Sequence, residues 1–323
     1  MEWDILIGIL PTVILDGLAL GFVYALIALG YTMVYGVLQM INFAHSEIFV
    51  TGAFVGAEVL LILQAKGTLA GYHPLVLLVI IIGAAMVVSG LLAVTVERVA
   101  YRPLRNAPRL VPLISAIGVS FFLQDAIRLF ESFWRNAFFL TYPTIELFDV
   151  RLHMFGDTDI SVKSILVMVA AILMLVALTL FVNRTKLGKA IRAVAEDQNT
   201  AGLMGINVNQ MISLTFLIGG AMGGAAGALF GVQYGTINPY TGFIPGLKAF
   251  TAAVLGGIGN IPGAMVGGLV LGMLETFAAS YMSLLTGGAF GAEYKDIFAF
   301  MVLILILMFR PRGLLGEVVR EKV

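Results

Sequence analysis

The 323-residue sequence contains no cysteine. That excludes disulfides, thiolate zinc sites and cysteine nucleophiles. Histidine is scarce too: His45, His73 and His153 lie far apart. Charged residues make up 12% of the chain, against roughly 25% in soluble domains. Nineteen Lys and Arg balance nineteen Asp and Glu, so no basic excess points to nucleic acid. There is no Walker A motif. The nearest stretch, "TKLGKA" (185–190), has Gly-Lys followed by Ala and lacks the upstream glycine-rich loop. ATP hydrolysis by that route is therefore not expected of this chain. Neither Gly-x-Ser-x-Gly nor His-Glu-x-x-His occurs. The start, "MEWD", is acidic and without a basic n-region, so the first apolar segment is expected to remain as a membrane span.

What the chain has is apolar length. Hydrophobic residues make up 60% of it, and the mean hydropathy is +1.00. A spanning helix needs about 20 mostly apolar residues. Uncharged runs occur at 17–41, 74–96, 164–183 and 211–247. Segments 48–65, 110–130 and 297–309 are shorter or carry one or two charges, and are still expected to insert. From Gln198 to Ala292 the only charges are Lys248 and Glu275, so that stretch must hold several helices, broken near 238–246 and 256–263. The reading is an all-α polytopic membrane protein with eight to ten membrane elements.

Basic residues gather in three groups: Arg98, Arg102, Arg105 and Arg109; Arg184, Lys186, Lys189 and Arg192; and Arg310, Arg312, Arg320 and Lys322. The positive-inside rule puts all three in the cytoplasm, with the C-terminus. The longest polar loop, 131–163, carries five acids and three bases and is expected outside. The polar stretch "NFAHSE" (42–47) then falls near the cytoplasmic side.

Sliding the sequence by 196 residues aligns "INFAHSEIFVTGAFVGA" (41–57) with "INPYTGFIPGLKAFTAA" (237–253), with six of seventeen positions identical. Each copy follows a long uncharged helix and precedes a short one. An odd number of elements between them gives the copies opposite orientations. Inverted repeats with interrupted helices beside a pathway are a transporter signature. Asn42, His45 and Glu47 in one copy, and Asn238, Pro239 and Tyr240 in the other, are therefore pathway or gate candidates. For His45 and Glu47 the alternatives are a proton relay and a pair that merely orders a loop. Two ligands from one loop are too few for zinc.

Gly219, Gly223, Gly227, Gly231 and Gly235 recur every fourth residue and predict one smooth helix face. Small residues matter in lipid because they let backbones approach. Among charges in apolar segments, Asp125 and Arg128 are expected to pair at i, i+3, and Lys248 to snorkel to an interface. Glu58 and Glu275 are the two that would suit ion coupling.

The loop 183–211 reads as an amphipathic helix over 186–197, with Leu187, Ile191 and Val194 on one side and bases around them. Glu196, Asp197, Ala201, Gly202 and a Gly-Ile-Asn turn at 205–207 follow. A helix between two spans, ended by glycine, suits docking on a partner. The alternative is an interfacial helix held to anionic lipid by its four bases.

Five stretches carry a family resemblance: "GLALGFVYALIALGYTMVYGVLQMINFAHSE" (17–47), "ERVAYRPLR" (97–105), "LISAIG" (113–118), "AEDQNTAGLMGIN" (195–207) and "INPYTGFIPGLKAFTAAVLGGIGNIPGAMVGG" (237–268). Together they resemble the LivH-type permeases, membrane subunits of bacterial ABC importers for branched-chain amino acids. Ser46 departs from the glycine usual in that family after the histidine. The resemblance implies a multi-pass protein of the inner membrane, embedded in the lipid bilayer, with no cofactor of its own and no catalytic activity. It implies a LivM-like second permease, LivG- and LivF-like ATPases carrying ATP and Mg, and a periplasmic substrate-binding protein. Nucleic acid is not an expected partner. The family's ATPase-coupling motif falls on Ala195, Glu196, Asp197, Ala201, Gly205 and Asn207, with Arg192 beside it. The expected layout is a single permease domain over 1–323. It comprises a first repeat (about 11–130), a linking helix (162–183), a cytoplasmic coupling loop (184–210), a second repeat (about 211–310) and a tail (311–323). Related permeases for urea, short amides or other apolar amino acids are the nearest alternatives. A secondary transporter acting alone is a more distant one.

Overall fold

The computed structural model describes residues 7–105, 107–108, 110–153 and 159–316. Arg109, Arg320 and Lys322 of the basic groups, and the last seven residues of the tail, lie outside the described residues. The chain forms helices α1 (Leu10–Leu38), α2 (His45–Ala65), α3 (Pro74–Val96), α4 (Leu110–Arg135) and α5 (Val162–Arg184). Two short helices follow, α6 (Lys186–Glu196) and α7 (Gln198–Leu203). Then come α8 (Val208–Tyr234), α9 (Phe243–Gly256), α10 (Ile261–Leu285) and α11 (Lys295–Phe309). Seven of these are long and apolar enough to cross a membrane, and α9 and α11 are shorter apolar helices of 14 and 15 residues. Lipid offers no partner for free backbone N–H and C=O groups, so apolar spans must be helical.

Helix limits follow from local chemistry. Pro11 and Pro74 sit in the first turns of α1 and α3, where a missing N–H costs nothing. Thr185, Asp197, Asn207 and Asn260 cap α6, α7, α8 and α10 by accepting from backbone N–H groups two or three residues on. The uncharged run 211–247 is divided because Gly235 ends α8 with φ +78. At that position the left-handed backbone favours glycine.

α8 is the centre of the bundle. Its glycines face three neighbours. A Cβ at Gly219 would press on Gly30 of α1, and one at Gly223 on the His45 ring of α2. One at Gly220 or Gly224 would press on Ser89 and its neighbours in α3, and one at Gly227 on the backbone of Phe49 and Ala53 in α2. Gly231 leaves room for the Tyr142 ring. Gly235, expected on this face, is instead the helix cap with nothing within 4 Å.

Contacts between the halves are exchanged. α1 runs antiparallel along α10, with Gly17 and Gly21 against Met273 and Leu269. α3 runs antiparallel along α8 in the corresponding place. α2 lies beside α8, and α9 beside α1.

The two ends of the bundle differ. At one end Glu97, fully buried, accepts from Arg102 (2.9 Å), from Ser213 (2.8 Å) and from Arg105. α6, α7 and the segment 313–316 gather at the same end, with Leu314 N–H donating to Leu255 O at 2.7 Å. At the other end a two-stranded ribbon pairs Leu140–Thr141 with Thr236–Ile237. Tyr142 plugs the bundle there, donating to Ala53 O at 2.6 Å, and burial pushes its phenol well above the ordinary range.

Candidate functional site

The stretch 42–47 is not a surface loop. After α1 the chain turns back, and α2 begins inside the bundle beside Gly223, near the middle of α8. Asn42, His45, Ser46 and Glu47 are 2%, 1%, 5% and 0% exposed. Asn42 Oδ1 accepts from the Tyr101 hydroxyl at 2.7 Å, which ties the break to the turn after α3. The His45 ring occupies a hollow made by Gly30 and Gly223, edge-on to Tyr31 at 4.6 Å. Neither ring nitrogen makes a well-formed hydrogen bond. Glu47 Oε1 accepts from Ser120 of α4 at 3.2 Å and from Ser46 at 3.3 Å, and Oε2 has no partner among the described residues. His45 and Glu47 share no bond, so the structure holds no His–Glu pair of the kind a relay or a loop clasp would use.

The second break has the same plan. Asn238 accepts from Tyr240 N–H at 2.8 Å through its side chain, and its own N–H donates to Thr241 at 2.9 Å. This is the local turn to which asparagine is suited. Pro239 is buried, while Tyr240 is exposed and lies 3.4 Å from Arg128. The chain then enters α9, whose start at Gly242 and Gly246 abuts Ser46. The two breaks therefore meet inside the bundle.

Beside that meeting point lies a cavity of about 220 Å³. Its walls come from α1 (Tyr31), the first break (Phe43), the start of α2 (Ser46), α4 (Ile117, Ser120, Phe121, Gln124) and α9 (Phe243, Leu247, Phe250). Asn42, His45, Asn238, Pro239 and Tyr240 are not on its lining, and Glu47 stands one hydrogen bond behind it. The cavity escaped sequence reading because α4 and α9 contribute ordinary apolar residues without a motif.

Behind α9 is a buried charge cluster. Lys248, 5% exposed, reaches Glu275 of α10 at 2.8 Å and Asp296 of α11 at 2.7 Å. Lys295 also reaches Glu275, at 3.0 Å, and the Tyr24 hydroxyl donates to it at 2.8 Å. Snorkelling of Lys248 is thus overturned, because three carboxylate oxygens or rings within reach replace the water it would seek. Asp125 and Arg128 do pair at 3.3 Å, and Glu58 is held by Arg135.

The loop 184–210 folds as two helices rather than one. α6 buries Gly188, Ile191 and Val194 against the end of the bundle, while Leu187 is 47% exposed rather than inward. Arg192 points outward and donates to Asn183 at 2.6 Å. Ala195 is half-buried, and Glu196 is exposed. Asp197 caps α7, accepting from Asn199 N–H (2.8 Å) and from the Thr200 hydroxyl (2.6 Å). These bonds hold its carboxyl below the usual range. Ala201 is buried, and Gly205 takes φ +84 where α7 turns into α8, whose cap is Asn207. Gln198 donates to Val37 O at 3.3 Å, which joins this hairpin to the end of α1. At its tip Leu203 and Met204 are 89% and 79% exposed. A cleft of about 370 Å³, lined by Gly36, Asn183, Arg192 and Asn260 among others, separates α6 from the turn between α9 and α10.

Comparison with known proteins agrees over nearly the whole chain. Residues 13–307 match the family model described as the permease component of the branched-chain amino acid transport system. The chain is 47% identical over 315 residues to the high-affinity branched-chain amino acid transport system permease protein BraD of Pseudomonas aeruginosa, covering 96% of this chain and 97% of that protein. It is 45% identical to the corresponding LivH of Escherichia coli K12, covering 95% and 96%. A probable LivH of Methanocaldococcus jannaschii is 27% identical over 90% of this chain and 88% of its own length. No solved structure matches.

Proposed function

The chain belongs to the branched-chain amino acid transport permease family, and we propose that it is the membrane subunit of an ATP-driven importer for leucine, isoleucine and valine. It works without an ATPase site of its own. The energy comes from two partner ATPases docked on α6 and α7, beside a second permease subunit and a binding protein at the opposite face. The basic end of the bundle, with the C-terminus, faces the cytoplasm.

The observation that carries this reading is the α6–α7 hairpin. It exposes Leu203 and Met204 at its tip, while Ile191, Val194 and Ala201 root it in the same apolar cluster as Val34 and Val37 of α1. A push at the tip is therefore transmitted to the helix that leads into the first break. Residues 11–130 and 211–310 form two inverted halves that rock about α8, consistent with the exchanged packing of α1 on α10 and α3 on α8. An independent ion-driven carrier is disfavoured because Glu58 and Glu275 are already paired with basic side chains.

Asp197→Arg and Gly205→Pro variants are expected to co-purify poorly with the ATPases and to lose ATP-driven uptake in proteoliposomes. Normal uptake in both would sink the coupling assignment.

A further inference from the structure

The transporter reading leaves open where the substrate passes this subunit. Three observations converge on the cavity between α1, α4 and α9. Its surface is mainly apolar, with aromatic rings on opposing walls and Ile117 and Leu247 between them. Two of its lining hydroxyls, Ser120 at 3.2 Å and Ser46 at 3.3 Å, lie against one oxygen of the buried Glu47 carboxyl, Ser46 also donating to Phe43 O at 2.8 Å, and the second Glu47 oxygen has no partner among the described residues. It lies where the two interrupted helices meet, with the start of α9 against Ser46. A carboxylate buried without a base is costly, so it either takes up a proton or is joined by a positive group. Here no basic side chain of the described residues contacts it.

We propose that this cavity is a substrate subsite within the permease, taking a zwitterionic amino acid with a branched aliphatic side chain. The α-ammonium group lies at Ser46 and Ser120, with Glu47 behind them as the positioning residue. The Gln124 amide has two N–H donors to offer the carboxylate. The side chain packs among the rings, and the limited volume makes the subsite sensitive to its size. This inference rests on the importer reading and adds that the permease itself discriminates among substrates.

The test uses the complete importer in proteoliposomes, with binding protein saturated in turn by leucine, isoleucine and valine. Leu247→Trp and Ile117→Trp fill the cavity from two different walls. Val79→Trp, on the exposed face of α3, controls for added bulk. Leucine and isoleucine uptake is expected to fall about tenfold or more in the two cavity variants, with valine affected several times less, and co-purification of subunits unchanged. Glu47→Gln is expected to reduce the uptake of all three, because it acts on the shared ammonium group. Equal losses for all three amino acids in the cavity variants, equal losses in Val79→Trp, or no loss at all would overturn the subsite. Absence of ATP-dependent uptake by the unmodified importer would instead defeat the importer reading itself.

Discussion

The two breaks, 39–44 and 235–242, share a backbone plan and differ in what holds them. Each follows a long helix that ends on a residue with positive φ, Gln39 or Gly235, and each leads into a shorter helix, with an asparagine three residues after that turn. Around the first break no ion pair forms among the described residues: a tyrosine bonds Asn42, an imidazole sits in a glycine hollow, and the one acid, Glu47, meets only serine hydroxyls. Around the helix after the second, the contacts are ionic, with two lysines and two acids linking α9, α10 and α11. A repeat thus preserves geometry while each copy solves its own burial problem. The first break should be sensitive to volume, and the second to charge.

The largest expected effect is on the ionic side. Lys248→Met leaves Glu275 and Asp296 with fewer partners in a buried place. Breaking one member of a buried ion set costs about 3–5 kcal/mol. Lys295 still reaches Glu275, and Asp296 is partly exposed, so about 3 kcal/mol is expected here. Thermal unfolding in detergent measures it, and a Tm equal to the unmodified protein's would remove the asymmetry between the breaks. His45→Leu, the counterpart on the neutral side, is expected to cost less than about 1.5 kcal/mol, as for a swap of similar volume that strands no hydrogen bond.

Volume is the next lever. A Cβ at Gly30 meets the His45 ring and lies 2.8 Å from the Gly219 carbonyl. Gly30→Val is expected to destabilise by about 1–3 kcal/mol, the usual cost of overpacking. His45→Ala in the same chain should restore part of that loss, since residues in contact are not additive. Simple addition of the two single effects would mean that the hollow is not what seats the ring.

These effects also mark what was legible in the sequence. Hydropathy delimited α3 and α5 almost to the residue, because Lys163 and Arg184 bound the α5 run, and His73-Pro74 and Glu97 bound that of α3. It could not delimit α9 in the same way, because its start lies within an uncharged run, and there the break expected near 238–246 came from the Asn, Pro and Gly residues instead. The glycine face was readable as a period of four, yet its last member caps the helix instead of packing. Lys248 read as a snorkelling residue because its partners, Glu275 and Asp296, belong to two later helices. Likewise the cavity draws its polar groups from α2 and α4. Local periodicity exposes a helix and one face of it, but cannot say which distant helix will supply the counter-charge.

A smaller expected effect concerns the tie between the first break and α3. Tyr101→Phe leaves Asn42 Oδ1 buried without its donor. A buried acceptor left unmade costs about 1–3 kcal/mol, and the lower half of that range is expected because an amide has other directions in which to turn. Chemical denaturation of the solubilised protein measures the loss. An unchanged midpoint would show that the first break is held by packing alone, which sharpens its contrast with the ionic second break.

The smallest effect tests the segment joining the two halves, whose capping carboxyl is solvent-exposed where Asn42 and Pro239 of the breaks are buried. Asp197 caps α7 through the Asn199 and Thr200 amides and the Thr200 hydroxyl, and these bonds hold its carboxyl below the usual range. A group whose folded pKa is depressed contributes its stability above the unfolded value, about 3.9 for aspartate. That contribution is lost as pH falls through the lower folded value. The Asn199 and Thr200 amides should therefore stay protected from exchange down to about pH 4. Below it their protection should fall, once corrected for the intrinsic rate. In Asp197→Asn the carboxyl is absent, so protection should not vary over that window. The two breaks should show no step at that pH, which separates an exposed, charge-capped coupling hairpin from the packed halves it joins. A common acid transition in all three regions would mean that the hairpin unfolds only with the bundle.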